Sequence, residues 1–411
     1  MSDNMLRRIA ALSAENLPEV IAVRRDIHRH PELSFQEQRT AALVAGVLKG
    51  LNLDVRENVG GRGVTAVLRG RGPGKTVALR ADMDALPVRE DTNLPFSSCH
   101  EGMMHACGHD CHTANLLGVA RILTALQDDF DGTVKFIFQH GEENGGGGRE
   151  MVKAGVLEDP AVDAILAMHV LPAPLGYLRL GYGPVTAYSD RVTFTVFGKN
   201  AHTSTPQKGV DAIVIAAQLI TALQTILSRG IDPLEGATFS LGQIHGGTAP
   251  NIVPDNVEII GMMRSLSAEV RASICTNMEK IAAGVAAAMG GRVEFALREG
   301  YPSVINDRSM TDLVRDTALA VYTEAQAAGF AFGDRAVAEL IQFEKPQLGA
   351  EDFGFYSRRV PACLYWVGAG TAVPLHSPLF APDEAVFKLS MPLMASAALR
   401  FLREQIAVSG T

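Results

Sequence analysis

Four short apolar runs, Val64–Leu68, Thr76–Ala81, Val134–Gln139 and Ala164–Val170, restrict the fold more than any other feature of the chain. Runs of this length, rich in Val, Ile and Phe, read as strands buried on both faces. Apolar residues at helical spacing mark helices over Leu17–Asp26, Gln36–Lys49, Thr113–Leu126 and Arg149–Ala154. The second helix stops near Gly50, and the last two lie between later strands. Strands alternating with helices predict an α/β unit whose mixed, largely parallel sheet is sandwiched by helices.

The rhythm changes near Val185. Arg191–Phe197 alternates like a half-exposed strand, Asp211–Leu227 reads as a helix, and Thr238–Ile244 and Val257–Met263 read as strands. A helix over Ala268–Met289 and a strand over Arg292–Leu297 complete the order β-α-β-β-α-β, a ferredoxin-like unit. This predicts an inserted domain over residues 187–300. The first domain then spans 1–186 and 301–411 and ends with a helix over Asp383–Ala407.

The 411 residues carry a net charge of -8, which argues against nucleic-acid and anionic-membrane partners because no basic footprint is present. Five cysteines are too few, and odd in number, for a disulfide framework, and reduced thiols predict a cytoplasmic setting. No apolar h-region opens the chain, and no run reads as an unbroken membrane span.

Chemistry concentrates in His105-Ala106-Cys107-Gly108-His109-Asp110 and in Glu142-Glu143. A free Cys is most often a small buried hydrophobe. Cys107 stands two residues from His109 and four from Cys111, just before a helix, a spacing that reads more naturally as a metal site. Glu142-Glu143 follows a buried strand. Adjacent side chains on extended backbone point opposite ways, so one carboxylate can ligate while the other serves as a general base. His169 ends the run Ala164–Met168, and His376 lies in Pro374-Leu375-His376-Ser377-Pro378. Two rivals stay open: an enzyme using Cys107 as nucleophile with His109, and a catalytically silent binding protein.

Further motifs are Arg29-His30-Pro31-Glu32-Leu33-Ser34-Phe35, Arg80-Ala81-Asp82-Met83-Asp84-Ala85-Leu86-Pro87, Gly349-Ala350-Glu351-Asp352-Phe353 and His376-Ser377-Pro378. With these, over nearly its whole length, the chain resembles the zinc-dependent metallopeptidase family of aminoacylases, hippurate hydrolases and indole-acetyl-amino-acid hydrolases. The resemblance implies a metal-dependent amidohydrolase that cleaves N-acyl-L-amino acids to a carboxylic acid and an amino acid. Dipeptidase, carboxypeptidase and N-acetyl-diaminopimelate deacetylase activities are the alternatives in the same family. It implies two divalent ions on Cys107, His109, Glu143, His169 and His376, with Cys107 between them. Zinc suits such mixed ligands, which also admit Mn, Co or Ni. Glu142 is implied as the general base and Asp84 as a carboxylate orienting a ligand. The inserted domain is implied to be a lid and dimerisation surface of a homodimer or larger homo-oligomer. Its His202 would approach the substrate carbonyl oxygen, Asn251 would touch substrate, and Arg264 would clamp a carboxylate bidentately.

The chain departs from this family in reading Gln139-His140-Gly141-Glu142-Glu143-Asn144, which sets an imidazole beside the base, and Asn200-Ala201-His202 in the lid. Gly70-Arg71-Gly72-Pro73-Gly74-Lys75-Thr76 looks like a phosphate loop, but its first required Gly falls at Arg69 and a strand follows. It reads as a hairpin-like turn. Gly145–Gly148 reads as a turn at a helix start.

Overall fold

The computed structural model describes residues 2–404 and divides into two compact units. The first takes in Met1–Gly183, Val304–Lys345 and the chain from Asp352 onward; the second takes in Pro184–Ser303 and Pro346–Glu351.

The first unit is built on an eight-stranded sheet. In spatial order its strands are Asp54–Val59, Gly63–Arg69, Thr133–Gln139, Thr76–Asp82, Ala164–Leu171, Ala362–Gly368, Leu178–Leu180 and Ile341–Phe343. The four from Thr133–Gln139 to Ala362–Gly368 run parallel, and antiparallel pairings flank them on both sides.

Alternation along these strands divides the sheet into two chemically different faces. Val77, Leu79, Ala81, Val134, Phe136, Phe138, Leu166, Met168, Tyr365 and Val367 join one core with helices Asp3–Arg29, His109–Ala125, Arg308–Ala327 and Phe387–Arg403. Burying one such large side chain is worth about 1.5–3 kcal/mol, so this face supplies the driving force for folding. Arg80, Asp82, Lys135, Gln139, His169, Trp366 and Arg179 alternate with those residues and face the other way. The short helices Gly147–Lys153 and Gly354–Ser357 lie on that side.

Several expectations need correction. The first helix runs over Asp3–Arg29, much longer than Leu17–Asp26, although Pro18 lies inside it. An interior Pro costs about 3 kcal/mol, and burial of Met5, Leu6, Ile9, Val20 and Ile27 outweighs that. The turn over residues 70–75 does not close a hairpin: Thr133–Gln139 sits between the two strands that it joins, pairing with both. Helix Arg308–Ala327 and strands Asp54–Val59, Leu178–Leu180, Ile341–Phe343 and Ala362–Gly368 had not been expected. The C-terminal helix runs over Phe387–Arg403, and its expected end at Ala407 lies outside the described residues.

The second unit has an antiparallel sheet in the order Ala237–Gly246, Asn256–Ser265, Tyr188–Phe197, Arg292–Tyr301. Helices Ala212–Leu223 and Ala268–Ala288 pack on it through Ile215, Leu219, Leu223, Ile274 and Met278, giving a separate core. Both helices open on a side-chain cap: Asp211 accepts from the Ile213 and Val214 N–H groups, and Ser267 from that of Val270. The element order is the expected β-α-β-β-α-β, except that the helix expected over Asp211–Leu227 breaks at Gln224 before a short helix over Thr225–Gly230. Residues 346–351, which the sequence reading left with the first domain, join this unit. Gln347 N–H donates to Val185 O and Ala187 N–H to Gly349 O.

Among the described residues, two helical stretches are long and apolar enough to cross a membrane by length and composition, Ala212–Gly230 and Glu384–Arg403, where none was expected from sequence. Each contributes residues to the core of its own unit.

Candidate metal centre

The polar face of the first unit ends in a cluster of donor groups at the carboxyl ends of its central strands. Thr76–Asp82 delivers Asp82, with Asp84 two residues on. The loop after Thr133–Gln139 carries Glu142 and Glu143, and Ala164–Leu171 delivers His169. Ligands of open α/β sheets gather at this edge. Cys107 and His109 flank Gly108, which has φ +85° at the start of helix His109–Ala125. A Cβ there would stand 2.5 Å from Val170 Cγ2, so only glycine fits. His376 is placed by its backbone N–H, which donates to Ala106 O at 2.8 Å.

Two triads of candidate donors share the Cys107 sulfur: Cys107 with His109 and His169, and Cys107 with Glu143 and His376. Within each triad the donor atoms lie within 4.8 Å of one another. Further sets join His109 with Glu142 and Glu143, and His109 with Asp82 and His112.

Hydrogen bonds decide which of these atoms are available. His109 Nδ1 lies 2.9 Å from Asp84 O, a carbonyl that can only accept, so Nδ1 carries the proton and Nε2 the lone pair. His169 Nδ1 likewise donates to Val170 O at 2.5 Å, leaving Nε2 to face Cys107 Sγ at 3.5 Å. His112 is fully used. Its Nε2 accepts from Val170 N–H at 2.9 Å, so its Nδ1 donates to Asp82 Oδ1 at 2.6 Å. Asp82 Oδ2 accepts from Arg80 Nη1 at 2.6 Å. Asp82 and His112 therefore brace the site. By contrast, His109 Nε2 and Glu143 Oε1 are buried and make no hydrogen bond. Buried polar atoms left in that condition are costly, and a cation between them would satisfy both. A thiol, imidazoles and a carboxylate form the donor set of a borderline-soft divalent ion.

The electrostatics fit the same occupant. Burial and then the Glu143 charge push the Cys107 thiol well above its usual range, so ionising it takes a cation alongside. Burial and neighbouring His112 hold His169 well below its usual range, neutral as a ligand must be. For His109 burial acts downward, but the Asp82 carboxylate prevails and raises it well above the ordinary range. Nε2 of His109 is thus a place for one positive particle, a proton or a metal. Asp84 is held below the usual carboxylate range despite burial, first by the hydrogen bond from His109. It stays charged and orients that imidazole.

Glu142 is 6% exposed and its Oε2 lies 4.0 Å from His109 Nε2. Its Oε1 accepts from Asp352 N–H at 3.4 Å. Asp352 belongs to a buried network in which Arg80 donates to Gln139 Oε1 at 2.9 Å, to Asp82 Oδ2 and to Asp352 Oδ1 at 2.8 Å. Gly148 N–H donates to Asp352 Oδ2 at 2.8 Å. Arg80, Asp82, His112, Gln139 and Asp352 had no role assigned from sequence. A charge inside the apolar run Thr76–Ala81 was a signal for Arg80, and Asp82 and Asp352 lay inside motifs shared with the family. The His140 ring packs edge-on to Phe35 at 4.9 Å and against Gly61.

His202, Asn251 and Arg264 belong to the second unit. His202 sits in strand Ala201–His202, paired with Ile252–Val253, and its Nδ1 accepts from Ser204 N–H at 3.1 Å. Asn251 lies beside it, accepting from Thr203 N–H through its carbonyl. Arg264 Nη1 donates to Leu348 O at 2.8 Å.

Cys107→Ala removes the donor common to both triads. The expected result is protein that folds but no longer retains divalent metal through dialysis, read by elemental analysis. Full metal occupancy in that variant would remove Cys107 from the donor set.

The profile of the family described as Peptidase family M20/M25/M40 matches residues 78–400. An N-acyl-L-amino acid amidohydrolase of Geobacillus stearothermophilus is 44% identical over 300 residues, 72% of this chain and 80% of that protein. Thermostable carboxypeptidase 1 of Saccharolobus solfataricus is 38% identical over 392 residues, 93% of this chain and 95% of that protein. Among solved structures, the Bacillus subtilis YXEP protein, described as a dinuclear metal binding peptidase from the M20 family, superposes with a TM-score of 0.81 at 33% identity. That match covers 95% of this chain and 99% of the YXEP chain.

Proposed function

Because the chain belongs to Peptidase family M20/M25/M40, and is therefore a metal-dependent amidohydrolase, we propose that it hydrolyses the amide bond of N-acyl-L-amino acids and does so with two divalent ions, zinc first among them. The observation that carries this reading is the buried Glu142 carboxylate, which lies outside both donor triads that share the Cys107 sulfur and stands 4.0 Å from His109 Nε2. The name of the Geobacillus relative supports the substrate class, and the description of the YXEP structure supports a pair of ions.

Cys107, His109, Glu143, His169 and His376 would hold the ions. When bound, these supply Lewis acidity and make water acidic enough to ionise near neutral pH. The chain's own residues handle the proton. Glu142 takes it from the water that attacks the amide carbon, then delivers it to the nitrogen as the carbon–nitrogen bond breaks. The products are a carboxylic acid and the free amino group of an amino acid. Asp84 keeps the His109 imidazole in one tautomer throughout, and Asp82 does the same for His112. In the second unit we assign substrate contacts to His202 at the carbonyl oxygen, to Asn251, and to the Arg264 guanidinium at a free carboxylate.

The test is a panel of N-acetyl, N-benzoyl and indole-acetyl amino acids assayed with Zn, Mn, Co and Ni. The Saccharolobus relative favours peptides as the second substrate class, so dipeptides and carboxy-terminal peptides belong in the panel. A chelator is expected to abolish turnover, and returned metal to restore it. Activity that survives chelation and is lost to thiol alkylation would instead make Cys107 a nucleophile. No turnover of any acylated amino acid or peptide with any of these metals would leave a binding protein.

A further inference from the structure

The loop Glu32–Glu37 touches the site at three points and ligates nothing. Ala85 N–H donates to Glu32 O at 2.8 Å, and Ser34 Oγ donates to Asp84 Oδ2 at 2.7 Å. The same Asp84 oxygen accepts from Glu143 N–H at 2.9 Å. The third point is Glu37. It stands at the N-cap of helix Gln38–Gly50, where an acidic side chain ordinarily accepts from the first helical N–H groups. It makes no such bond. Its side chain is fully buried and turns away from its own helix. Oε1 accepts from Phe35 N–H at 3.0 Å and from Gly141 N–H at 2.8 Å, and Oε2 has no hydrogen-bond partner.

A carboxylate so placed is expensive for the fold. Burial, with the Asp84 charge nearby, pushes it up to about 7. What it holds explains the expense. Gly141 immediately precedes Glu142 and has φ +61°. A Cβ at Gly141 would stand 2.7 Å from the Phe35 ring, and one at Gly145 would stand 2.5 Å from it. Phe35 itself has φ +66°, a left-handed conformation that a non-glycine residue keeps only when its surroundings impose it. The Phe35 ring and the Glu37 carboxylate thus clamp the turn over residues 140–145 from two sides.

We propose that Glu37 is a positioning residue for the general base: by accepting the Gly141 N–H it sets the backbone from which Glu142 reaches the reacting water. This rests on the reading of Glu142 as the base, and the test separates the two. In Glu37→Ala the turn loses its anchor while every candidate donor remains. The expected result is a kcat lower by about 10- to 100-fold, the cost of a misplacement on the order of 1 Å, with KM and bound metal close to wild type. Glu37→Gln keeps an oxygen that can accept both N–H groups and is expected to restore most of kcat. If Glu37→Ala does not fold, Glu37→Asp, one methylene too short to reach both N–H groups, is read in the same way.

Wild-type kcat in Glu37→Ala, or in Glu37→Asp where that stands in for it, overturns the proposal. So does a loss that follows metal content, since Glu37 then only supports the donor set. So does failure of Glu37→Gln to recover activity. Glu142→Gln, measured alongside, must be nearly inactive; if it turns over normally, it is the base assignment that has failed.

Discussion

Glu142→Gln is expected to bind metal and fold as the wild type does, while kcat falls by about 10²–10⁴-fold, the usual worth of a positioned general base. The amide has nearly the volume of the carboxylate. Its oxygen can still accept the Asp352 N–H that now meets Glu142 Oε1 at 3.4 Å, so the side chain keeps its place. What it loses is a basic lone pair that can take a proton from water and return it to the leaving nitrogen. KM should change little, because the step affected comes after binding. The measurement is steady-state kinetics with metal content determined on the same sample. A variant that turns over at nearly the wild-type rate with full metal would end the assignment, whatever else the site contains.

The second large effect is on stability. Arg80→Met should lower the unfolding free energy by about 3–5 kcal/mol, the cost of removing one partner from a buried ion network. Arg80 is 1% exposed and joins Asp82 to Asp352. Met preserves much of its volume, so the loss is electrostatic. Asp82 and Asp352 would remain buried without their shared cation, and Gln139 Oε1 would lose the 2.9 Å bond from Arg80 Nε. Arg80→Lys keeps a charge but offers a point cation where a planar fork now reaches three acceptors, and it should recover part of the stability. Denaturant unfolding of the three proteins decides this. An Arg80→Met variant as stable as wild type would show that the network adds nothing net to the fold.

The parts of the fold that sequence made legible are those with a single strong pattern. The strand that carries His169 was visible because Ala164-Ile165-Leu166-Ala167-Met168 is apolar on both faces, and the structure buries all five. Asp54–Val59 was invisible because Asp-Val-Arg-Glu-Asn-Val is an exposed edge strand with no apolar period. Leu178–Leu180 and Ile341–Phe343 are too short to show one. The hairpin-like reading of residues 70–75 failed for a deeper reason. Local turn chemistry cannot announce that a strand from further along the chain will insert between the two it joins.

The site divides in the same way. Cys107, His109, Glu142 and Glu143 stood out because reactive residues sit close together in sequence. His169 and His376 were bland alone and gained meaning only by resemblance to a known family. The Asp82–His112 brace was hidden because neither residue signals its partner. That Asp82 points away from the apolar core follows from alternation along Thr76–Asp82, but its hydrogen bond to His112 depends on how helix His109–Ala125 lies over that strand. Glu37 was harder still, since the helix expected over Gln36–Lys49 took it in as an ordinary acidic residue of the first turn.

The split of the first unit around the second also governs when this protein can become active during its own synthesis. A growing polypeptide on the ribosome presents Cys107, His109 and His169 early, but Asp352, strand Ala362–Gly368 and His376 emerge only after the whole second unit has left the exit tunnel. Until then His169 lies on a strand that lacks its later neighbour, and the Arg80 guanidinium lacks one of its two carboxylates. Domains tend to fold as they emerge, so the second unit should finish first and the centre last. Nascent chains that stall before Asp352 therefore lack His376, the strand beside His169 and the Arg80–Asp352 ion pair, and are expected to be inactive.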